Sequence, residues 1–205
     1  MNVLGLFPIP VAIIEEREPT DSELSYIKNV EKRDNNENLA SKDTYMLDRD
    51  ELSGLRNIIE FHVNDFFFKA LAVDTSCKLR ITQSWCNYSE SDESHHTHMH
   101  PNSALSGVYY PQAKHPDDSL SFHTPKEIDN ILSPKTYESN LWNSHTWWLP
   151  IKTGNIIIFP SYLYHSVRPI KNRNSTRISL SFNTFYDGIL GDESSLSALK
   201  VKTCM

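Results

Sequence analysis

The chain has 205 residues, 39% of them hydrophobic and 22% charged, with a formal net charge of −6. That length suits one domain with a real core, and the acidic balance disfavours sequence-independent binding to nucleic acid phosphates, which needs a basic surface. Cys77, Cys86 and Cys204 form no CxxC pair and read as reduced thiols in a cytoplasmic protein rather than a disulfide frame.

Residues 3–14 are apolar but lack a basic leader region and contain Pro8 and Pro10, so they predict an edge strand on the core and no membrane span. Thr20-Asp21-Ser22-Glu23 is a capping-type start, and Leu24, Ile27 and Val30 continue a helical stripe to about Arg33. The polar run from Asp34 to Lys42 predicts a loop. A second helix is expected from Asp48 or Asp50 to about Ala72, carried by Leu52, Leu55, Ile58, Ile59, Val63, Phe66 and Phe67; His62 on it reads as structural.

From Lys78 the period changes to two. Leu79, Ile81, Gln83, Trp85 and Asn87 alternate with Arg80, Thr82, Ser84, Cys86 and Tyr88. Further strands are predicted at 103–110, 119–123, 146–149, 155–159, 164–170 and 177–185, separated by Pro, Gly and Asn turns. Helices followed by this many short strands predict a mainly β fold, a double-stranded β-helix (jelly roll) with flanking N-terminal α-helices. The expected organisation is a single domain over 1–205, with an N-terminal strand and packing helices over 1–76, a jelly-roll core over 77–186 and a tail over 187–205.

Four of the nine histidines lie between His95 and His100. In a regular strand His96, His98 and His100 share one face, and any adjacent pair of them can bind one metal ion. His165, opening a later strand, is placed to add a third imidazole, a ligand that suits zinc, copper, iron and nickel. On the last strand Arg177, Ser179, Ser181 and Asn183 share a face opposite Ile178, Leu180 and Phe182, and an inward Arg with a nearby Ser suits a carboxylate. His115, His123 and His145 have no arrangement that demands a role. Tyr109 and Tyr110 cannot both face inward.

These motifs carry a resemblance. Leu6-Phe7-Pro8-Ile9-Pro10, Trp85-Cys86-Asn87, His98-Met99-His100-Pro101, Ser106-Gly107-Val108-Tyr109-Tyr110, Leu120-Ser121-Phe122-His123-Thr124-Pro125, Phe159-Pro160-Ser161 with His165, and Arg177-Ile178-Ser179 with Phe182-Asn183 resemble the 2-oxoglutarate- and Fe(II)-dependent oxygenases of marine bacteria and phages. These are distant relatives of the prolyl hydroxylases. The resemblance implies a cytoplasmic enzyme (host cytoplasm if viral) that uses Fe(II), 2-oxoglutarate and O2, releases succinate and CO2, and hydroxylates a substrate. It also implies His98, His100 and His165 as metal ligands and Arg177, with Ser179 and Tyr110, around the far carboxylate of 2-oxoglutarate, with Asn87 or Tyr88 on its other side. Asn183, Trp142 and Trp148 are the substrate-facing expectations.

One departure matters. The superfamily's usual first pair is H-x-D or H-x-E, whereas this chain has His100 in the second position, so either His100 is the ligand or a carboxylate such as Asp92 or Glu93 folds in. His96 with His98 is an alternative pair. The long segment 124–145, with Pro125, Pro134, Tyr137 and Trp142, is either a lid over the iron or a plug at the barrel end.

Two other functional classes compete. One is a cupin-like metalloenzyme without 2-oxoglutarate, disfavoured because position 104 is Ala where a Glu is wanted. The other is a noncatalytic jelly-roll binding module. The substrate is an unidentified protein, peptide or small molecule, with peptidyl proline the first expectation by analogy of fold alone. Exposed edge strands permit a homodimer.

Overall fold

The computed structural model describes residues 1–124, 135–171 and 174–202. Its strands are β1 (Ala12–Glu15), β2 (Lys32–Asp34), β3 (Leu39–Ser41), β4 (Cys77–Ser89), β5 (His95–His98), β6 (Leu105–Gln112), β7 (Ser119–His123), β8 (Thr146–Pro150), β9 (Asn155–Pro160), β10 (His165–Val167), β11 (Arg177–Leu190) and β12 (Leu199–Val201). Two helices, α1 (Asp21–Asn29) and α2 (Ser53–Lys69), precede the long strands, and two short 3₁₀ turns at Met46–Asp48 and Asp50–Leu52 lead into α2.

The strands form two antiparallel sheets. The larger runs β1-β9-β6-β11-β4-β3-β2, with β12 added to the far end of β11; the smaller runs β5-β10-β7-β8. This is the expected jelly-roll layout, and alternation along each strand assigns the two faces of the large sheet. Leu180, Phe182, Tyr109, Ile156 and Ile158 point to one side, where Leu55, Ile59, Val63 and Phe67 of α2 cover them. Val108, Tyr110, Ile157 and Phe159 point to the other side and meet Leu120 and Phe122 of the small sheet. The inter-sheet face is partly polar, and His98, His100 and His165 converge there.

The N-terminal region departs from expectation in two places. Thr20 caps α1 with the reciprocal Glu23 contact, but the helix ends at Asn29, and Val30 is already extended. The polar run after it is no loop: β2 and β3 form a hairpin that joins the large sheet through Leu39 opposite Tyr88 and Ala40 opposite Asn87. Edge pairing uses backbone groups, which carry no hydrophobic period. Residues 3–7 are exposed, and only Ala12–Glu15 of that apolar run pairs as an edge strand, against β9.

The face reading of β4 also needs correction. Asn183 pairs with Gln83 and Thr184 with Ile81, so Thr82 is an extra residue on β4. A bulge of this kind shifts the side-chain phase by one. Leu79 and Ile81 therefore pack under the helices, whereas Gln83, Trp85, Asn87 and Ser89 turn to the inter-sheet face. Among the described residues, no helix is long and apolar enough to cross a membrane.

Candidate active site

In the small sheet, His98 of β5 lies directly opposite His165 of β10, and His165 lies opposite Phe122 of β7. His100 follows β5, held by its own N–H on the Ser161 carbonyl at 2.9 Å. The ligand atoms of His98, His100 and His165 lie within 4.8 Å of one another, and the Nε2 atoms of His98 and His100 are 3.2 Å apart.

Each of these rings has an oxygen partner at Nδ1. His98 Nδ1 donates to the His96 carbonyl at 2.8 Å, His165 Nδ1 to the Leu163 carbonyl at 3.0 Å, and His100 Nδ1 to Asn183 Oδ1 at 2.5 Å. An imidazole whose proton is on Nδ1 has its lone pair on Nε2. All three lone pairs are thus directed into one small space. Without a cation there, two converging lone pairs at this distance repel. Two nitrogens bound at right angles to a metal about 2.1 Å away stand roughly 3 Å apart, which matches the observed spacing.

Burial keeps the rings neutral. It pushes the His165 imidazole down to about 3, with the neighbouring His98 adding to the effect. His98 and His100 are lowered for the same first reason, desolvation. Neutral rings keep the lone pairs that a metal needs. The carboxylate alternative to His100 does not assemble: Glu93 accepts the Glu90 backbone N–H at 2.8 Å, and the metal-capable groups among the described residues contain only histidines.

His96 does not join that face. Across β10 and β5, His165 pairs with His98 but Val167 pairs with His95, two steps on one strand against three on the other. The irregularity places His95, not His96, flat against His98, with ring centroids 4.5 Å apart. Its imidazole is pushed down to about 3, by burial first and by its histidine neighbours next.

Arg177 opens β11 on the inter-sheet face and is buried to 2% exposure. Its charge is felt by the buried Tyr110 hydroxyl, whose tendency to ionise is suppressed mainly by burial. Ser179 pairs with Asn87, and Arg177 pairs with Ser89. Among the described residues, Asn87 Oδ1 and Ser89 Oγ are buried with no hydrogen-bond partner. Buried polar atoms left over beside a buried guanidinium and a serine have the donor and acceptor chemistry that suits a polar anionic ligand.

Several expected residues lie elsewhere. Tyr88 is on the opposite face from Asn87 and donates its hydroxyl to the Ile27 carbonyl at 2.6 Å, so it belongs to the helix-packed core. The same alternation separates Tyr109, bonded to the Arg17 carbonyl, from Tyr110 inside. Asn183 faces inward, and its amide oxygen accepts from His100 Nδ1 and from Ser106 Oγ at 2.9 Å, which ties it to the orientation of the His100 ring.

Trp148 pairs with Ser121 on the outer face of the small sheet, beneath the Arg168 guanidinium at 4.7 Å. Trp147 is the one that shares the row of Phe122 and His165. Trp142 is 61% exposed and leans on Gly5. Of the segment 124–145, residues 125–134, with Pro125 and Pro134, are outside the described residues; its ends meet through Thr124 N–H on the His145 carbonyl, closing the β7–β8 hairpin. The structural reading of His62 agrees with its 2.8 Å contact to Glu16.

The sequence assigns no role to Ser89 or to the hydroxyl chain of Ser103, Ser106 and Ser161 that backs His100. Finding them needs strand register, and no local motif encodes that.

The two sheets with an inward histidine triad define a jelly roll with a candidate metal site and a buried arginine on the same inter-sheet face. Residues 83–183 match the sequence profile of a family described as "Putative 2OG-Fe(II) oxygenase", and the chain belongs to this family. It is a 2-oxoglutarate-dependent oxygenase whose cofactors are Fe(II), 2-oxoglutarate and O2.

Solved structures share the fold. One is a 2OG-Fe(II) oxygenase-family oxidoreductase from Burkholderia pseudomallei, with 12% identity, TM-score 0.57, and 85% of this chain and 83% of that one covered. HygX from Streptomyces hygroscopicus, solved with nickel, 2-oxoglutarate and hygromycin B, has 11% identity, TM-score 0.57 and coverage of 86% and 82%. A prolyl-4-hydroxylase from Pseudomonas putida has 13% identity, TM-score 0.51 and coverage of 85% and 92%. No curated protein matches the chain in sequence.

Proposed function

We propose that His98, His100 and His165 hold the Fe(II) and that Arg177 anchors the far carboxylate of 2-oxoglutarate, with Ser179, Tyr110, Asn87 and Ser89 around it. The convergence of three Nε2 lone pairs, each set by an Nδ1–H bond to oxygen, carries this reading. When bound, the iron with 2-oxoglutarate and O2 supplies the oxidising power for substrate hydroxylation, leaving succinate and CO2. The chain's own residues fix the rings, neutralise the cosubstrate and keep bulk water out. Three neutral imidazoles leave the ferrous ion its full double charge, a stronger attraction for a dianionic cosubstrate than a triad containing a carboxylate.

The substrate is a small molecule or a peptide, peptidyl proline being the first to try, and it approaches over Trp147. That indole is 40% exposed at the open edge of the small sheet, at the end of the row His98, His165, Phe122, Trp147.

The deciding experiment adds Fe(II) and then 2-oxoglutarate to the apoprotein without oxygen. A visible charge-transfer band that bleaches with succinate release on admitting O2 is the expected result. Iron binding with no band would instead favour a metalloenzyme independent of 2-oxoglutarate.

A further inference from the structure

A second histidine group sits outside the triad. The ligand atoms of His95, His96 and His98 also lie within 4.8 Å of one another. Their ring centroids are 4.5 Å (His95 to His98), 5.1 Å (His95 to His96) and 5.3 Å (His96 to His98) apart. Neighbours in a regular strand point to opposite faces, so this packing is a product of the β5–β10 irregularity.

The two groups share His98, and the sharing is exclusive. His98 Nδ1 is committed to the His96 carbonyl at 2.8 Å, leaving one lone pair, on Nε2. One lone pair cannot hold two ions, so the groups are alternatives for a single metal. They also differ in depth. His96 is exposed and His95 and His98 are half-buried, whereas His100 and His165 are buried. Burial therefore deepens from His96 through His95 and His98 to His100 and His165.

We propose that His95, His96 and His98 form an outer docking site for an imidazole-preferring divalent cation, from which the ion moves to the inner triad while His98 stays bound. Bonds to His95 and His96 break as bonds to His100 and His165 form. The ion keeps its charge, and each bond broken to an outer nitrogen is replaced by one formed to an inner nitrogen. The donor set selects ferrous, cobalt, nickel or zinc ions over magnesium or calcium, which prefer oxygen.

The inference rests on the assignment of His98, His100 and His165 as the inner site, so the test reads metal binding with no 2-oxoglutarate present. Cobalt(II) is the probe, followed by its visible absorption after rapid mixing. In the surface variant H95A/H96A the equilibrium affinity should stay within about twofold of the parent while loading slows by about fivefold or more. Equal loading rates overturn the relay. Separately, H100A/H165A should retain one weakly held Co(II) that is lost when H95A is added. A folded H100A/H165A protein that binds none removes the outer site, and if that variant does not fold, the loading rates decide alone. A parent protein that binds no Co(II) would sink the inner assignment as well.

Discussion

Asn183 Oδ1 lies 2.5 Å from His100 Nδ1, and this contact sets the direction of the ring's other nitrogen. Ser106 Oγ donates to the same amide oxygen at 2.9 Å, so the acceptor is itself held. Partners of this kind around a metal ligand change affinity by about 10- to 100-fold when removed. N183L is expected to weaken Fe(II) or Co(II) binding by that factor with far-UV circular dichroism unchanged. H165A, which deletes one of the three proposed ligands outright, is expected to abolish binding. Parental affinity in N183L would mean that Ser106 alone orients His100.

Arg177 acts at the other end of the same strand face. Removing its guanidinium should weaken 2-oxoglutarate without touching the metal. A hydrogen bond to a charged group is worth about 1.5–3 kcal/mol, so R177A should raise the cosubstrate dissociation constant tenfold or more at constant metal affinity. R177K should recover only part of this, because an ammonium cannot form the two-pronged contact. Isothermal titration of the metal-loaded proteins with 2-oxoglutarate measures both. Equal affinities in parent and R177A would place the carboxylate elsewhere.

Regular alternation was readable in sequence, and it places Arg177, Ser179, Ser181 and Asn183 on one face and Tyr110 apart from Tyr109. Errors gather where a strand carries an extra residue. Thr82 breaks the phase of β4, so Leu79 and Asn87, assigned one face, lie on opposite ones. The β5 irregularity likewise exchanges His96 for His95. Bulges depend on the partner strand's register, which the local sequence does not contain. A two-residue run of tryptophan likewise gives no sign of which one pairs with Phe122.

Gly107 tests the packing behind the site. It lies opposite Phe182, and a Cβ there would stand 2.2 Å from Phe182 Cζ and 2.8 Å from the Ile157 carbonyl. Phe182 is fully buried and cannot swing clear. G107A should cost about 1–3 kcal/mol through overpacking, read as a lower urea midpoint at unchanged slope. The double variant G107A/F182L should lose less than the sum of the two single changes, since the clash is shared. Additive losses would show that the backbone contact at Ile157, not the ring, is limiting.

Glu23 offers a pH-dependent stability test far from the metal. Burial alone would raise its carboxyl, but two 2.7 Å contacts to the Arg17 guanidinium and one of 2.8 Å from the Thr20 amide outweigh it and hold the group below its ordinary value of 4.5. A carboxyl depressed in the folded state contributes stability that is complete above its unfolded value and is lost as pH falls through its folded value. E23Q keeps the shape but not the charge. With Arg17 partly exposed to solvent screening, the cost at pH 7 should be about 1 kcal/mol. That difference should stay constant down to about pH 5, shrink below the ordinary carboxylate value and vanish once Glu23 is protonated in both states. Denaturant unfolding of the two proteins at several pH values measures it, and a gap that persists undiminished in acid would assign the effect to the helix cap and not to the ion pair.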